Sequence, residues 1–217
     1  TMDQKTLHKM IADNQIRAID LKYCGLDGKW YHITLPARRI DTVLSRGVPF
    51  DGSSIPGMRS VESGDMVLMP DISTAQIDPF YEIPTLRMIC SICDAETRIG
   101  IKKDPRSVAL RAHEYMKSTK IADQSTWIPE LEYHLFDTAQ FYSDPFSSGY
   151  NLSSAECKDS LPEEYEDMDG LSRQDVKGYH ADTPFDQFYE IRQEMVDHME
   201  ELGIKVRYHH HEVGLSS

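Results

Sequence analysis

The chain has 217 residues, of which 40% are hydrophobic and 27% charged, as in an ordinary globular protein of one or two domains. Its formal net charge of -13 argues against nucleic acid or an anionic membrane as partner, because both bind basic surfaces. No apolar run is long enough to span a membrane and no signal pattern opens the chain, so we expect a cytoplasmic protein.

The first part of the chain predicts a small sheet with helices. In chain order we predict a helix ending near residue 14, a hairpin over 19–35, a helix ending at Gly47, and strands near 65–69 and 85–92. The spacing of Leu7, Met10 and Ile11 indicates the first helix. A hairpin, a helix across it and further strands indicate an α+β domain of the β-grasp type.

A compact run of turn residues, Pro-Phe-Asp-Gly-Ser-Ser-Ile-Pro-Gly, occupies positions 49–57. Asp51 and Ser54 supply an acceptor and a donor within it, and Gly52 permits a positive φ. By itself this run fits a surface turn.

A new unit opens at Asp104, which suits a helix N-cap, and Pro105, which suits the first helical position. We therefore divide the chain into residues 1–103 and 104–217. The helix is predicted to reach about Thr119, with an apolar face formed by Val108, Ala109, Ala112 and Met116.

The sequence Trp-Ile-Pro-Glu-Leu-Glu-Tyr-His-Leu-Phe-Asp at 127–137 predicts a buried strand. Alternation places Glu130, Glu132 and His134 on one face. Two close carboxylates on a half-buried surface need cations or protons, which suits a pair of divalent ions. A solvated polar face explains the pattern equally simply.

Residues 139–182 form a long, polar, acid-rich segment without a predicted element, which makes it either mobile or functional. Its acidic run at 163–169 fits a solvated loop. A helix over 186–202 follows, with its inward side chains at Phe188, Ile191, Met195, Val196 and Met199.

A His-rich strand is predicted at 204–213. Alternation places His210 and Glu212 on one face, with His209 and His211 on the other. Imidazole and carboxylate both bind divalent metals, and carboxylates favour Mg²⁺ or Mn²⁺ over zinc. A polar strand edge without a ligand remains the alternative.

The four cysteines, at 24, 90, 93 and 157, do not form a disulfide framework. Cys90 and Cys93 have the C-x-x-C spacing but fall in an apolar strand, where an odd offset sends them to opposite faces. We therefore predict buried free thiols rather than a zinc site.

Six motifs occur in the order found in prokaryotic-type glutamine synthetases, which this chain resembles from about residue 15 to its end. They are Phe-Asp-Gly-Ser-Ser-Ile (50–55), Asp-Met-Val-Leu-Met-Pro-Asp (65–71), Ile-Asp-Pro-Phe (77–80), Asp-Pro-Arg-Ser (104–107), Pro-Glu-Leu-Glu-Tyr (129–133) and His-His-His-Glu-Val (209–213). The resemblance implies a β-grasp domain followed by the first part of a catalytic domain with an ATP-guanido-kinase-like sheet. It also implies ATP-dependent ligation of ammonia to L-glutamate, through γ-glutamyl phosphate, to give glutamine.

The resemblance also assigns roles to residues. It implies two Mg²⁺ or Mn²⁺ ions per site, with Glu132 and Glu212 on one ion and Glu130 on the other. Asp51, with Ser54 nearby, matches the family's ammonium site, which Tyr179 also borders. ATP, L-glutamate and ammonium are the implied substrates.

Family members continue well beyond the His-rich strand, so we expect this chain to be part of a longer protein or a truncated product, inactive alone. Two positions depart from the family pattern. Arg207 replaces a glutamate that contacts nucleotide, and the Lys-Gly-Tyr segment ending at Tyr179 is one glycine short.

Two alternatives stay open at this point: a ligase that joins glutamate to another amine, and a non-catalytic regulatory or truncated remnant of the fold. The intact Asp51 loop argues against the first, because a bulkier amine needs no ammonium-binding carboxylate. For the full-length protein the resemblance further implies hexameric rings paired into a dodecamer, with each site shared between neighbouring subunits.

Overall fold

The structure is a computed structural model that describes residues 2–58, 65–156, 179–214 and 216–217. The chain forms two compact units, Thr1–Thr126 and Trp127–Ser217. The helix that follows Asp104 belongs to the first of these units. The domain boundary between residues 103 and 104 stays a prediction.

The first unit contains three helices and six strands: four strands lie at the positions that the sequence predicts, and two short ones, Val48–Asp51 and Gln76–Ile77, are additional. They are α1 (Gln4–Asp13), β1 (Ala18–Cys24), β2 (Trp30–Pro36), α2 (Ile40–Arg46), β3 (Val48–Asp51), β4 (Asp65–Pro70), β5 (Gln76–Ile77), β6 (Thr85–Asp94) and α3 (Pro105–Ser118). Gly47 ends α2 with a φ of 70°, a conformation that suits glycine.

The six strands form one sheet in the order β2-β1-β6-β4-β3, and β5 pairs with β6. Among the described residues, the β1–β6 pair is parallel and the other pairs of this sheet are antiparallel. The long strand β6 therefore joins the N-terminal hairpin to the β3–β4 pair, which ends at Asp51 and Asp65. The Asp51 loop therefore follows β3, the edge strand on the opposite side of the sheet from β2.

The core of the first unit lies where the two helices α1 and α2 cover one face of the sheet. Alternate residues of β1 and β6, such as Ile19 and Leu86, are fully buried there. Leu7 of α1 and Val43 of α2 pack against the same cluster. The apolar periodicity of the sequence thus matches the observed core.

Helix α3 begins as predicted, because the Asp104 side chain accepts a hydrogen bond from the Ser107 backbone N–H at 2.9 Å and Pro105 follows it. The predicted apolar face is wrong, since Val108, Ala109 and Ala112 are exposed. Ser107 is the helix's buried residue. The helix contacts β6, and most of its apolar side chains stay exposed in this unit.

The second unit contains the hairpin β7 (Thr138–Ser143) and β8 (Ser148–Ser153) and the helix α4 (Tyr189–Glu201). The hairpin corrects the expectation of an element-free segment after residue 139. Its turn forms because the Asp144 side chain accepts hydrogen bonds from the backbone N–H groups of Phe146 and Ser147, at 2.8 and 2.9 Å. The acidic run at 163–169 lies outside the described residues.

Helix α4 confirms the predicted helix, although it begins three residues later. Val196 and Met199 are half-buried, whereas Ile191 and Met195 are exposed, contrary to prediction. Arg192 is the buried residue of this helix. A polar contact therefore replaces part of the predicted apolar face.

The strands predicted at 127–137 and 204–213 are wrong in this structure, because neither segment has the regular backbone pairing of a strand. A strand is defined by the hydrogen bonds of a neighbour, and within the described residues no strand runs beside either segment. They meet near one end, where the Leu135 backbone N–H donates to the Ser216 carbonyl at 2.9 Å.

Among the described residues, the cysteines are free thiols, and Cys90 and Cys93 are buried as predicted. Burial raises the pKa of Cys90 to about 12, which leaves the thiol protonated. Cys157 lies outside the described residues. Within the described ranges, none of the helices combines the length and apolar character that a membrane crossing requires.

Candidate functional site

The Asp51 loop begins where β3 ends and continues as a short 3-10 helix, Gly52–Ser54. Asp51 is the N-cap: its carboxylate accepts from the Ser53 backbone N–H at 2.9 Å and from the Ser54 hydroxyl at 3.3 Å. Hydrogen bonding from the Ser53 side chain and backbone N–H, together with the Ser54 hydroxyl, lowers the pKa of Asp51. The loop therefore presents an exposed, ionised carboxylate whose orientation is held by its own neighbours.

A close approach of backbone to side chain supports this loop. A Cβ added at Gly52 would lie 2.4 Å from Cε of Met66, a buried residue of the paired strand β4. Any larger residue at position 52 must displace that methionine. Glycine thus lets the chain turn directly over β4, where Asp51 faces Asp65 in the register.

Glu130 and Glu132 lie in the segment that opens the second unit, and both are exposed. Tyr133 and Leu135 are half-buried while Glu132 and His134 are exposed, so part of the predicted alternation is present. Neither glutamate forms a hydrogen bond or ion pair with a described residue. Their carboxylates are therefore open to an external cation.

Tyr179 and the His-rich segment come together as a cluster of rings. Tyr179 stacks on His180 with ring centroids 3.9 Å apart and meets the edge of His210 at 4.8 Å. His180 also meets His210 at 4.4 Å, and its backbone N–H donates to the His211 carbonyl at 3.0 Å. Tyr208 and His209 complete the lining of an open cavity of about 340 Å³.

Glu212 lies two residues beyond His210 and is half-buried. One of its carboxylate oxygens, Oε1, accepts from the Val213 backbone N–H at 2.8 Å, and Oε2 lies 3.9 Å from His210 Nδ1. His210 Nδ1 also faces the His211 carbonyl at 2.9 Å, so it acts as the donor and Nε2 is the nitrogen able to accept. The structure thus brings Tyr179, His210 and Glu212 into one neighbourhood.

A buried glutamate that no sequence motif predicted contacts the His-rich segment. The side chains of Glu156 and His211 are both fully buried, and Glu156 Oε2 lies 3.1 Å from His211 Nε2. The carboxylate also accepts backbone N–H groups of Gln187 and Ser216, each at 2.9 Å. No periodic pattern marks Glu156, because its partners lie far away in the sequence.

A second buried pair joins Asp186 to Arg192 of α4. The Arg192 Nε–H donates to His209 Nδ1 at 3.3 Å, which leaves His209 Nε2 to donate to Gln193 Oε1 at 3.2 Å. Burial and the neighbouring Arg192 charge lower the pKa of His209. Burial alone raises the pKa of Asp186, but its bonds from Arg192 and from the Phe188 backbone N–H outweigh that effect and lower it.

The predicted metal ligands do not form an assembled site within the described residues, which contain no group of three or more His, Cys, Asp or Glu able to hold a metal. The donor chemistry itself fits, since Glu130, Glu132 and Glu212 offer the oxygen ligands that Mg²⁺ and Mn²⁺ prefer. Asp51 and Ser54 lie in the first unit, whereas the other candidates lie in the second.

Two family models match the chain in succession. The model described as "Glutamine synthetase, beta-Grasp domain" matches residues 15–95, and the one described as "Glutamine synthetase, catalytic domain" matches residues 102–216. The chain belongs to the glutamine synthetase family. The predicted resemblance and the α+β fold with an N-terminal β-grasp domain are confirmed.

Two curated relatives are similar to this chain over most of its length. The glutamine synthetase of Azotobacter vinelandii is 41% identical over 207 residues, which cover 94% of this chain and 44% of the relative. The glutamine synthetase of Pseudomonas aeruginosa is 41% identical over 209 residues, with coverages of 95% and 45%. The chain thus spans about half the length of the curated relatives it matches.

A solved structure shows the same fold. The cryo-electron microscopy structure of Plasmodium falciparum glutamine synthetase matches with a TM-score of 0.79 and 22% identity, over 100% of this chain and 43% of that one. At this identity the match supports the fold alone.

Proposed function

We propose that the full-length protein containing this chain is a glutamate–ammonia ligase, which forms L-glutamine from L-glutamate, ammonia and ATP through γ-glutamyl phosphate. The observation that carries the proposal is the 41% identity to Azotobacter vinelandii glutamine synthetase over 94% of the chain. The enzyme acts in the cytoplasm as a homo-oligomer, in hexameric rings that pair into a dodecamer.

The proposed reaction needs a site that tolerates the charge of ATP and glutamate together. Glu132 and Glu212 hold one Mg²⁺ or Mn²⁺ ion and Glu130 helps to hold another. When bound, these ions neutralise phosphate charge and align the phosphoryl transfer. The exposed, unpaired carboxylates of Glu130 and Glu132 support this assignment, as does the position of Glu212 beside His210.

Asp51 serves the second half of the reaction by binding ammonium. Its depressed pKa keeps the carboxylate charged at neutral pH, which attracts NH₄⁺ and provides an acceptor for the proton that must leave before NH₃ attacks. Ser54 orients the carboxylate through its hydroxyl. Tyr179, exposed at the edge of the ring cluster, borders the same ammonium site.

Asp51→Ala tests this function in the full-length protein. We expect the apparent KM for ammonium to rise at least about tenfold, because a charge-assisted contact to the cation is lost, while the KM values for ATP and glutamate change little. The readout is glutamine formed in the presence of Mg²⁺ or Mn²⁺. Hydroxylamine and methylamine replace ammonium in parallel assays, to distinguish a ligase for another amine.

Asp71→Ala is the matched control. Asp71 also caps a 3-10 helix, Ile72–Thr74, and accepts from the Ser73 backbone N–H at 3.0 Å, but it pairs with Arg106 instead of facing a proposed ligand. This control should leave all three KM values near wild type. Equal shifts in all three for Asp51→Ala would show a folding defect, and a wild-type protein that forms no glutamine would refute the ligase itself.

A further inference from the structure

The His211 ring sits between two oxygen acceptors. Its Nε2 lies 3.1 Å from Glu156 Oε2, and its Nδ1 lies 2.6 Å from the Glu212 backbone carbonyl oxygen. Both side chains are fully buried, so the two contacts hold the ring between the Glu156 carboxylate and the Glu212 peptide.

The other contacts of Glu156 join three parts of the second unit. Its Oε1 accepts the Gln187 N–H before helix α4, and its Oε2 accepts the Ser216 N–H as well as His211. Ser216 in turn bonds Ser154, two residues from Glu156. The carboxylate therefore links residues before and after Glu212 to the start of α4.

We infer that Glu156 is a positioning residue for the Glu212 carboxylate, acting through the His211 ring and the Glu212 peptide; this inference rests on the proposed function of Glu212 as a metal ligand. Glu156 touches no substrate. It holds the chain on either side of Glu212, at the His211 ring before it and at the Ser216 N–H after it. Groups that orient a metal ligand in this way commonly change metal affinity about 10- to 100-fold when they are removed.

Glu156→Gln in the full-length protein is the test, with Mn²⁺ alone as the probe and free Mn²⁺ measured by electron paramagnetic resonance. The amide NH₂ cannot accept, so at least one of the Glu156 contacts must break. We expect one class of Mn²⁺ sites to weaken by about tenfold or more and the other class to stay within about twofold. Glu212→Gln should weaken the same class, and the double variant should bind no worse than Glu212→Gln alone.

Asp104→Asn is the matched control, because Asp104 is also a fully buried carboxylate that accepts from a backbone N–H, but it lies in the first unit. It should leave both Mn²⁺ classes unchanged even if its melting temperature falls. If Glu156→Gln does not fold, Glu156→Asp replaces it: the shortened carboxylate keeps the charge and should weaken the same class to a smaller degree.

Three outcomes overturn the inference. Glu156→Gln that binds Mn²⁺ like wild type refutes it while the proposed function stands. Equal weakening of both classes, matched by Asp104→Asn, assigns Glu156 to general stability. A wild-type protein that binds no Mn²⁺ refutes the proposed metal site, and this inference with it.

Discussion

Asp186 and Arg192 form a buried charge pair that should be among the most sensitive points of the second unit. Their side chains are 7% and 8% exposed, and the guanidinium also donates to His209. Asp186→Ala leaves that guanidinium buried without its counter-charge and removes the acceptor of the Phe188 N–H at the start of α4.

Breaking one partner of a buried pair costs about 3–5 kcal/mol in unfolding free energy. For a cooperative unit of 150–250 residues each kcal/mol lowers Tm by about 2–4 °C, so the expected loss is roughly 6–20 °C. Urea unfolding of the full-length protein at pH 7, followed by circular dichroism, gives the free energy directly.

The double variant Asp186→Ala/Arg192→Met should recover most of the lost unfolding free energy, because no charge is then left buried. Glu114→Ala is the matched surface control: Glu114 and Lys117 lie 3.4 Å apart but are 72% and 46% exposed, so its cost should stay below about 1 kcal/mol. A cost for Asp186→Ala no larger than that of the control would refute the reasoning.

The contribution of Asp186 to the unfolding free energy should change with pH in a defined direction. The pKa of Asp186 is lower in the folded protein than its ordinary value near 3.9. Its contribution is therefore complete above that ordinary pKa and is lost as the pH falls through the folded pKa. The stability gap between wild type and Asp186→Ala should accordingly narrow below about pH 4; a gap that stays constant into acid would contradict the assignment.

Two further predictions concern the reactivity of the cysteine thiols and the proposed sharing of each active site between two subunits. With a pKa of about 12, Cys90 is thiolate in about one molecule in ten thousand at pH 8. Iodoacetamide should therefore modify the half-buried Cys24 before Cys90 and leave Cys90 unlabelled in the native protein, which peptide mass spectrometry can check. If each active site pairs an Asp51 loop with the metal ligands of a neighbouring subunit, equal co-assembly of Asp51→Ala and Glu132→Ala subunits should restore wild-type sites at about a quarter of the interfaces. The assay uses an ammonium concentration at which Asp51→Ala alone forms little glutamine. Co-assembled mixtures that stay inactive would show that the site is not shared in this way.

The sequence predicted the first unit well because its elements depend on nearby residues. The hairpin β1–β2 follows from alternation around a glycine turn, α2 ends at Gly47, and α3 begins at an Asp-Pro pair. The apolar face of α3 was wrong, because periodicity shows which side of a helix can be buried and not whether a partner covers it.

The second unit depends more on contacts between residues far apart in the sequence, and fewer of its elements were predicted. The segments at 127–137 and 204–213 are not strands, because a strand requires a paired neighbour, which alternation cannot supply. The hairpin β7–β8 was missed because its strands are polar and exposed, so no apolar alternation marks them.

The sequence by itself determined the family and the chemical types at the candidate site, since the ordered motifs name Asp51, Glu130, Glu132 and Glu212 as carboxylates. Only the tertiary structure showed what holds some of them in place. The Glu156–His211 contact joins residues 55 positions apart, and the contact of Tyr179 with His210 joins residues that α4 separates in the sequence. Such contacts depend on how the chain folds back on itself, and the energy of burying a charge is decided by partners that no local pattern reveals.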